Sequence, residues 1–200
     1  NVANAQGDHA SARALYEESL AIQRELGNRQ GVASLLTNLG TLASHQGDYS
    51  AARALYAESL AIARELGQRL GIATVLDNLG LVAYEHGDYP AAWTLYEESL
   101  TIGREIGDQL GIASSLEGLA CVAFALAGPR RAGRLWAGAE RLREEIGCPL
   151  TPSERPRYER LVAAARAAMG NGLAFDLAWQ EGRAMGLEQA IAYALEKQGG

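Results

Sequence analysis

The sequence has few of the features that characterise membrane, secreted or redox proteins. No apolar run approaches the ~18 residues that a membrane-spanning helix needs, and no basic-then-apolar secretory signal stands at its start. Its two cysteines, Cys121 and Cys148, have no Cys-x-x-Cys spacing and no neighbouring histidine. We therefore expect two reduced, mostly buried thiols in a cytoplasmic protein without membrane contact, with a disulfide or a metal site as the weaker alternative.

The motifs of the common enzyme classes are also missing. The sequence contains no Gly-x-x-x-x-Gly-Lys, Gly-x-Gly-x-x-Gly, His-Glu-x-x-His or Gly-x-Ser-x-Gly. Adjacent acids such as Glu17 and Glu18 diverge on a helix, so they do not form a general acid–base pair. The three histidines, His9, His45 and His86, fall in different segments, which argues against a shared metal ion. We predict no enzyme activity, no cofactor and no metal site.

Positive charge is scarce in most of the chain. The net charge is −6, and residues 1–127 carry 7 basic and 15 acidic side chains, against 9 and 5 in residues 128–170. Because nucleic-acid binding needs clustered lysine and arginine, direct binding of nucleic acid by the acidic part of the chain is not expected. The arginine-rich stretch is interpreted as a solvated helix face and not as a binding site.

What the sequence does contain is a fixed period of about 40 residues, and a period in this range is typical of a repeat array. The recurring motifs are Gly-Asp, Leu-Tyr and Glu-Ser-Leu, and single glycines recur with the same period. They stand at Gly7, Gly47 and Gly87, at Tyr16, Tyr56 and Tyr96, at Ser19, Ser59 and Ser99, and at Gly27, Gly67 and Gly107. The units of such an array bury their apolar faces against their neighbours. The array as a whole presents an extended surface.

One unit, residues 71–110, predicts two antiparallel helices. Apolar residues recur at helical spacing from Gly71 to about His86, which predicts a first helix, here called helix A. Gly87 and Asp88 then provide a left-handed C-terminal residue and an N-cap. A second apolar stripe predicts helix B, which ends at Gly107. Gly40 and Gly80 stand inside A helices, and we expect each to allow close contact with an alanine of helix B, Ala52 or Ala92.

These residues resemble the tetratricopeptide repeat (TPR) family. Leu39-Gly40, Gly47-Asp48-Tyr49, Ala52 and Tyr56 carry the resemblance, and the same words recur in the next unit. The variant is similar to the longer repeat of kinesin light chains and many bacterial regulators. The resemblance implies an all-α superhelix of helix hairpins over residues 1–147, with a partial first repeat at 1–30, repeats at 31–70 and 71–110, and a degenerate one at 111–147. Residues 148–200 are expected to form a C-terminal helical cap.

In the TPR superhelix the A helices line the concave face, where partners bind. By that resemblance a protein or peptide would contact residues of the A helices of three repeats: Ser34, Thr37, Asn38, Thr41, His45, Thr74, Asp77, Asn78, Leu81, Tyr84, Glu85, Ser114, Glu117, Cys121 and Phe124. Asn38 and Asn78 match the position where many peptide-binding TPRs place an asparagine against the ligand backbone. A surface asparagine duplicated with its repeat is the equal alternative.

Charge on these helices predicts the kind of partner. The predicted A helices of the second, third and fourth repeats begin at residues 31, 71 and 111. They contain no lysine or arginine, but they carry Asp77, Glu85 and Glu117. Chaperone-binding TPRs grip a C-terminal carboxylate with lysine and arginine from these helices, and that clamp is missing here. We expect a basic or neutral partner segment, either from another protein or from another domain of the same polypeptide.

The first unit lacks most of its helix A. Residues 1–6 resemble the end of such a helix, the first residue is Asn1 and the first methionine is Met169, so we expect a piece of a longer protein. The face formed by Leu15, Tyr16 and Leu20 would then be covered by preceding repeats or by a second copy of the chain. Homodimerisation through this face, without a foreign ligand, is the alternative function.

After residue 128 the sequence is similar to the C-terminal part of the TPR region in large bacterial regulators. Arg134 to Glu140, Pro149 to Arg155 and Ala174 to Trp179 carry this resemblance. Those proteins join a STAND-type signalling ATPase to a TPR sensor, often with a LuxR-type helix-turn-helix. The resemblance implies a regulatory or sensor module in transcription control, whose catalytic and DNA-binding parts lie outside this chain.

Overall fold

The described part of the chain is entirely α-helical, as predicted. The computed structural model describes residues 2–126, 128–170 and 172–196, with side chains from residue 10 onwards. Ala127, Asn171, the last residues of the predicted cap and the side chain of His9 lie outside the described residues. The helices are α1 Val2–Glu25, α2 Arg29–His45, α3 Tyr49–Glu65, α4 Arg69–Glu85, α5 Tyr89–Ile106, α6 Gln109–Ala125, α7 Pro129–Glu145, α8 Arg155–Ala168, α9 Gly172–Ala184 and α10 Leu187–Leu195. None of these described helices combines the length and apolarity needed to cross a membrane.

Most of the turns of the array use one device, repeated at a constant spacing. A glycine with φ between +66° and +78° ends each helix at Gly27, Gly47, Gly67, Gly87 and Gly107. Except at Gln68, the side chain of the next residue caps the following helix: the Asp48 side chain accepts from the amide of Ala51, while the Asp48 amide donates to the carbonyl of Ala43. These bonds satisfy both helix ends at once. The predicted Gly-Asp turns at residues 47 and 87 are therefore confirmed.

The glycines inside the A helices make room for a tyrosine. A Cβ atom on Gly40 would lie 2.6 Å from the Tyr56 ring, and one on Gly80 would lie 2.8 Å from the Tyr96 ring. The expected alanine of helix B is not among the atoms nearest to either glycine, which all belong to the tyrosine ring. A ring needs more space than a methyl group, so the larger side chain takes the gap. Ser59 and Ser99 also bind helix B to helix A, since each donates to a carbonyl of its own repeat, Ala33 or Ala73.

At the N-terminal end the structure differs from the predicted pattern. Helix α1 continues through Gly7 and Asp8, where a turn was expected, so residues 2–6 belong to the same helix. The backbone there satisfies its hydrogen bonds by continuing α1 through these residues.

The C-terminal helices extend the stack. Helix α9 packs closely on α7. Gly182 of α9 allows this contact, since the α7 backbone at Arg134 leaves no space for a side chain there. Helix α10 contacts α5, α6 and α7, and its Glu188 pairs with Arg104 at 2.7 Å. In the repeats the corresponding partners of Arg24 and Arg64 are Glu58 and Glu98 of the next helix B.

Two arginines of α7, Arg131 and Arg141, attach the C-terminal helices, and the prediction of a solvated face is wrong for these two. Arg131 donates to the carbonyls of Tyr193, Ala194 and Glu196, at the end of α10. Arg141 does the same at the end of α9, with the carbonyls of Arg183 and Met185. A cation at a helix C-terminus satisfies carbonyls that have no partner within the helix.

Candidate functional site

A cavity of about 570 Å³ lies between the A helices and α8. Helices α4 and α6 form one side of it, α7 and α8 form the other, and α2 contributes one residue. The lining residues are His45, Asp77, Asn78, Leu81, Tyr84, Tyr96, Ser114, Glu117, Gly118, Cys121, Trp136, Arg143, Leu150, Ser153, Glu154, Arg157, Tyr158 and Leu161. Its volume falls within the range of about 300–1,000 Å³ that is typical of ligand sites.

Eight of the residues predicted for the concave face line this cavity: His45, Asp77, Asn78, Leu81, Tyr84, Ser114, Glu117 and Cys121. Ser34, Asn38 and Thr74 are exposed on α2 and α4, outside the cavity. Neither Asn38 nor Asn78 is buried in the core, so the predicted ligand contact of these two residues stays open. The structure thus brings together most of the predicted residues of the third and fourth repeats, and of the second repeat it brings only His45 to the cavity.

Three of the predicted contact residues have other partners. The Thr37 hydroxyl lies 2.8 Å from that of Ser59 on α3. The Thr41 hydroxyl accepts from Tyr56 at 3.1 Å. Phe124 packs in the core against Trp136, with the ring centroids 6.1 Å apart. These side chains hold helix B to helix A, because they lie on the side of the A helix that faces its own hairpin partner.

Two of the three predicted acidic residues are paired with arginines of the same chain. Arg143 of α7 binds Glu117 at two points, Nε to Oε1 at 2.5 Å and Nη2 to Oε2 at 3.0 Å. Arg157 of α8 pairs with Glu85 and also lies near the ring of Tyr84. The expectation of a groove without basic groups is therefore wrong, and Glu85 and Glu117 give no reason for a basic partner. Arg29 and Arg69, at the starts of α2 and α4, pair with Glu65 and Glu105.

Asp77 has no such arginine. Its Oδ1 accepts from the Ser115 hydroxyl at 2.8 Å, and the structure describes no ion pair to it. Burial is the main cause that raises the pKa of the Asp77 carboxyl to about 7, and the negative charges of Asp108 and Glu117 raise it further. The hydrogen bonds from serine hydroxyls act in the opposite direction. The carboxyl therefore changes charge near neutral pH.

Tyr96 is almost completely buried, at 5% exposure, but its hydroxyl oxygen is not sealed from solvent, and it makes no hydrogen bond with the described residues. The matching Tyr56 donates to Thr41, but the residue at that place in the next repeat is Leu81, which accepts no hydrogen bond. Burial raises the pKa of the Tyr96 hydroxyl well above its usual value. Because Tyr96 lines the cavity, its hydroxyl is a polar group that a ligand in the cavity can bind.

Helix α8 supplies the part of the site that the sequence did not reveal. Tyr158 stands edge-on to Trp136, with centroids 6.3 Å apart, and its hydroxyl lies 3.5 Å from the Trp136 carbonyl. A reciprocal pair between Thr151 and Glu154 precedes α8, since each side chain binds the amide of the other residue. This capping box could be read from the sequence as a helix start, but its position over the A helices could not.

The two cysteines are free, and only one of them is partly buried. Cys121 lines the cavity, and burial raises the pKa of its thiol to about 11, so it is protonated at neutral pH. Cys148 is exposed in the turn after α7, which corrects the prediction that both thiols are buried. Its position explains the difference, because the turn lies outside the apolar stripe of either neighbouring helix.

Comparison with known proteins identifies the repeats. The family model described as "Tetratricopeptide repeat" matches residues 1–65 and again residues 42–105. No curated protein matches the chain. The crystal structure of BtubC (BKLC) from P. vanneervenii is similar, with a TM-score of 0.72 and 19% sequence identity over 94% of this chain and 76% of that one. At this level of identity the likeness shows the fold alone, an all-α superhelix.

Proposed function

Since this chain belongs to the tetratricopeptide repeat family, we propose that it is a non-catalytic module that binds a protein or peptide segment in the cavity between the A helices and α8. Tetratricopeptide repeats generally mediate protein–protein interactions. The observation that supports the cavity as the site is its wall, in which the Asp77 carboxyl has no basic partner and the Tyr96 hydroxyl makes no hydrogen bond, among the described residues.

The finer proposal is that this binding regulates a larger signalling protein. Its support is the resemblance of residues 128–197 to the sensor region of STAND-type regulators. Residues of α6, α7 and α8 meet in the cavity, so a bound segment would couple the repeats to the cap. The partner would be another protein or another domain of the same polypeptide.

A peptide selection tests the site. Peptides selected from a random library on the chain should bind the variant Asn78→Trp at least tenfold more weakly, because the indole fills part of the cavity. The matched control is Arg53→Trp, which adds the same side chain at an exposed position of α3. Peptides that bind both variants as tightly as the original chain, or a selection that enriches no peptide, would contradict the proposal.

The alternative function is self-association through α1, and one comparison within the repeats supports it. Ile22 is 47% exposed, whereas the matching Ile62 and Ile102 are 8% and 4% exposed because each packs on the A helix of its own repeat. Leu15 is also exposed, at 63%. Of the other two predicted residues, Leu20 is buried against α2 and Tyr16 is half-buried, so they are no longer candidates for this face.

Light scattering over about a hundredfold range of protein concentration tests self-association. If α1 pairs two chains, the mass should approach twice that of the monomer, and Ile22→Gln should restore the monomer. Leu66→Gln is the control, because Leu66 is similarly exposed, at 43%, but lies at a turn between repeats. A monomer at every concentration rejects this alternative and leaves the peptide-binding proposal intact.

A further inference from the structure

One acidic residue of the cavity, Asp77, has no basic partner among the described residues. Glu117 and Glu85 each have an arginine partner, and Glu154 binds Thr151. Asp77 faces the negative Asp108 and Glu117 at the start and in the middle of α6, the Tyr96 hydroxyl of α5 and His45 of α2 across the cavity. Both arginines that line the cavity are already engaged, Arg143 by Glu117 and Arg157 by Glu85. Within the described residues, this partly buried carboxyl therefore lacks a positive partner.

Geometry limits what kind of cation could supply that charge. One Asp77 oxygen already accepts from Ser115, and the Ser99 hydroxyl also lies within reach of the carboxyl, so a ligand can engage one oxygen but not both. A guanidinium group gains most from binding both oxygens of a carboxylate, whereas an ammonium group is a compact charge that needs one. An ammonium group also has three donors, and the Tyr96 hydroxyl offers a second acceptor that no described residue occupies.

The walls of the cavity suit an apolar stem. Leu81, Tyr158 and Leu161 present aliphatic and aromatic surface, with the buried Trp136 behind them, and Tyr84 lies on the same helix as Asp77. Methylene groups gain free energy on leaving water, and aromatic faces attract a cation within about 6 Å. A charged group on a flexible hydrocarbon chain satisfies both the carboxyl and the walls.

We propose that the cavity receives an ammonium group from a lysine side chain of the partner segment, which binds Asp77 and the Tyr96 hydroxyl while its methylene groups lie among the aromatic residues. The inference rests on the proposed function, because it takes the partner to be a protein or peptide. The inference again predicts a basic partner, as the sequence did. The reason is now Asp77 alone and no longer Asp77, Glu85 and Glu117 together.

Pools of blocked pentapeptides test it, with random flanking residues and a central residue that is lysine, norleucine or glutamate. Norleucine keeps the hydrocarbon stem and lacks the charge. Retention on the immobilised chain should be at least tenfold stronger for the lysine pool than for the other two. Asp77→Asn should reduce that preference to less than twofold. Asp48→Asn should leave it unchanged, since it removes one carboxylate at a helix N-cap where asparagine serves equally well.

The pH dependence of peptide retention gives a second test. With a free pKa of about 7 for Asp77, the carboxyl must lose its proton to pair with ammonium, so retention of the lysine pool should be about tenfold weaker at pH 6 than at pH 8. The norleucine pool should show no such change. Asp77→Asn should remove the dependence on pH, which separates Asp77 from the other titratable groups of the cavity.

Each outcome decides the inference. Equal retention of the three pools overturns the ammonium site and leaves peptide binding standing, whereas no retention of any pool counts against both proposals. A lysine preference that survives Asp77→Asn places the cation elsewhere and overturns the assignment. Competition with n-butylamine distinguishes the source: if the free amine binds as tightly as the lysine pool, a small amine is the ligand and the partner segment is rejected.

Discussion

The ring of Tyr96 lies directly against Gly118, so that a side-chain carbon on that glycine would overlap the ring. Gly80 lies close to the same ring, in the A helix of its own repeat, while Gly118 belongs to the A helix of the next. One tyrosine thus joins two successive hairpins. Gly118 stands where the two preceding repeats have Asn38 and Asn78, which shows why the fourth copy departs from the pattern.

This contact predicts that Gly118→Ala is destabilising. The added methyl group must displace a buried ring, and overpacking of this kind typically costs about 1–3 kcal/mol. Gly71→Ala is the matched control, because no atom outside its own helical backbone lies within 3.7 Å of the new carbon. That change should stabilise the chain by up to about 1 kcal/mol, since alanine is the better helix former. Urea denaturation followed by circular dichroism measures both, and a Gly118→Ala chain as stable as the original would contradict the packing.

The two buried tyrosines should respond differently to loss of the hydroxyl. Tyr56→Phe removes the hydrogen bond to Thr41 and should cost about 1 kcal/mol. Tyr96→Phe removes a hydroxyl without a partner among the described residues, so stability should stay the same or rise slightly. The rings are almost equally buried, at 1% and 5% exposure, which makes each variant the control for the other. Equal losses in urea denaturation would show that the Tyr96 hydroxyl is paired.

The hairpins could be predicted from the sequence because their determinants are local. A turn such as Gly47-Asp48 depends on one left-handed glycine and one capping side chain, and both are visible as residue types. The repeat then places these turns at regular intervals along the chain. Glycines inside helices also announced a close contact, although the sequence did not identify Tyr56 as the partner of Gly40.

The residues that the A helices contribute to the site could be predicted from the sequence. Those of α7 and α8 could not, because their positions depend on contacts between residues far apart in the chain. Arg157 and Glu85 are 72 positions apart, and nothing in either neighbourhood indicates that α8 lies over α4. Arginines look alike in sequence whether they are solvated, as expected, or fixed by a buried acid, as Arg143 is. Only the packing of α8 and α9 on α7 decides between these outcomes.

The Arg143–Glu117 pair should be strongly coupled. Arg143→Met leaves a largely buried carboxylate without its partner and should cost about 3 kcal/mol. Adding Glu117→Gln should recover at least half of that loss, because the uncompensated charge is gone. The exposed pair Arg64–Glu98 is the control, and Arg64→Met should cost at most about 1 kcal/mol. Additive losses in the Arg143 and Glu117 double-mutant cycle would contradict a direct ion pair.

Asp77 should make the stability of the chain depend on pH in a definite direction. Its pKa is about 7 in the folded chain against an ordinary value of 3.8, so between these values the folded state binds more protons than the unfolded state. The Asp77 contribution is therefore favourable at pH 4 and is lost as the pH rises through 7. Asp77→Asn keeps a polar partner for Ser115 and removes the charge.

At pH 8 we expect Asp77→Asn to unfold at a temperature about 2–4 °C above the original chain, which corresponds to a gain of ~1 kcal/mol for a domain of this size. At pH 5 the advantage should vanish or reverse, because Asp77 is then protonated in the folded chain. Asp48→Asn, at an exposed N-cap, should show no comparable difference between the two pH values. An advantage of the same size at both would mean that the carboxyl keeps an ordinary pKa, as a solvated or paired side chain does.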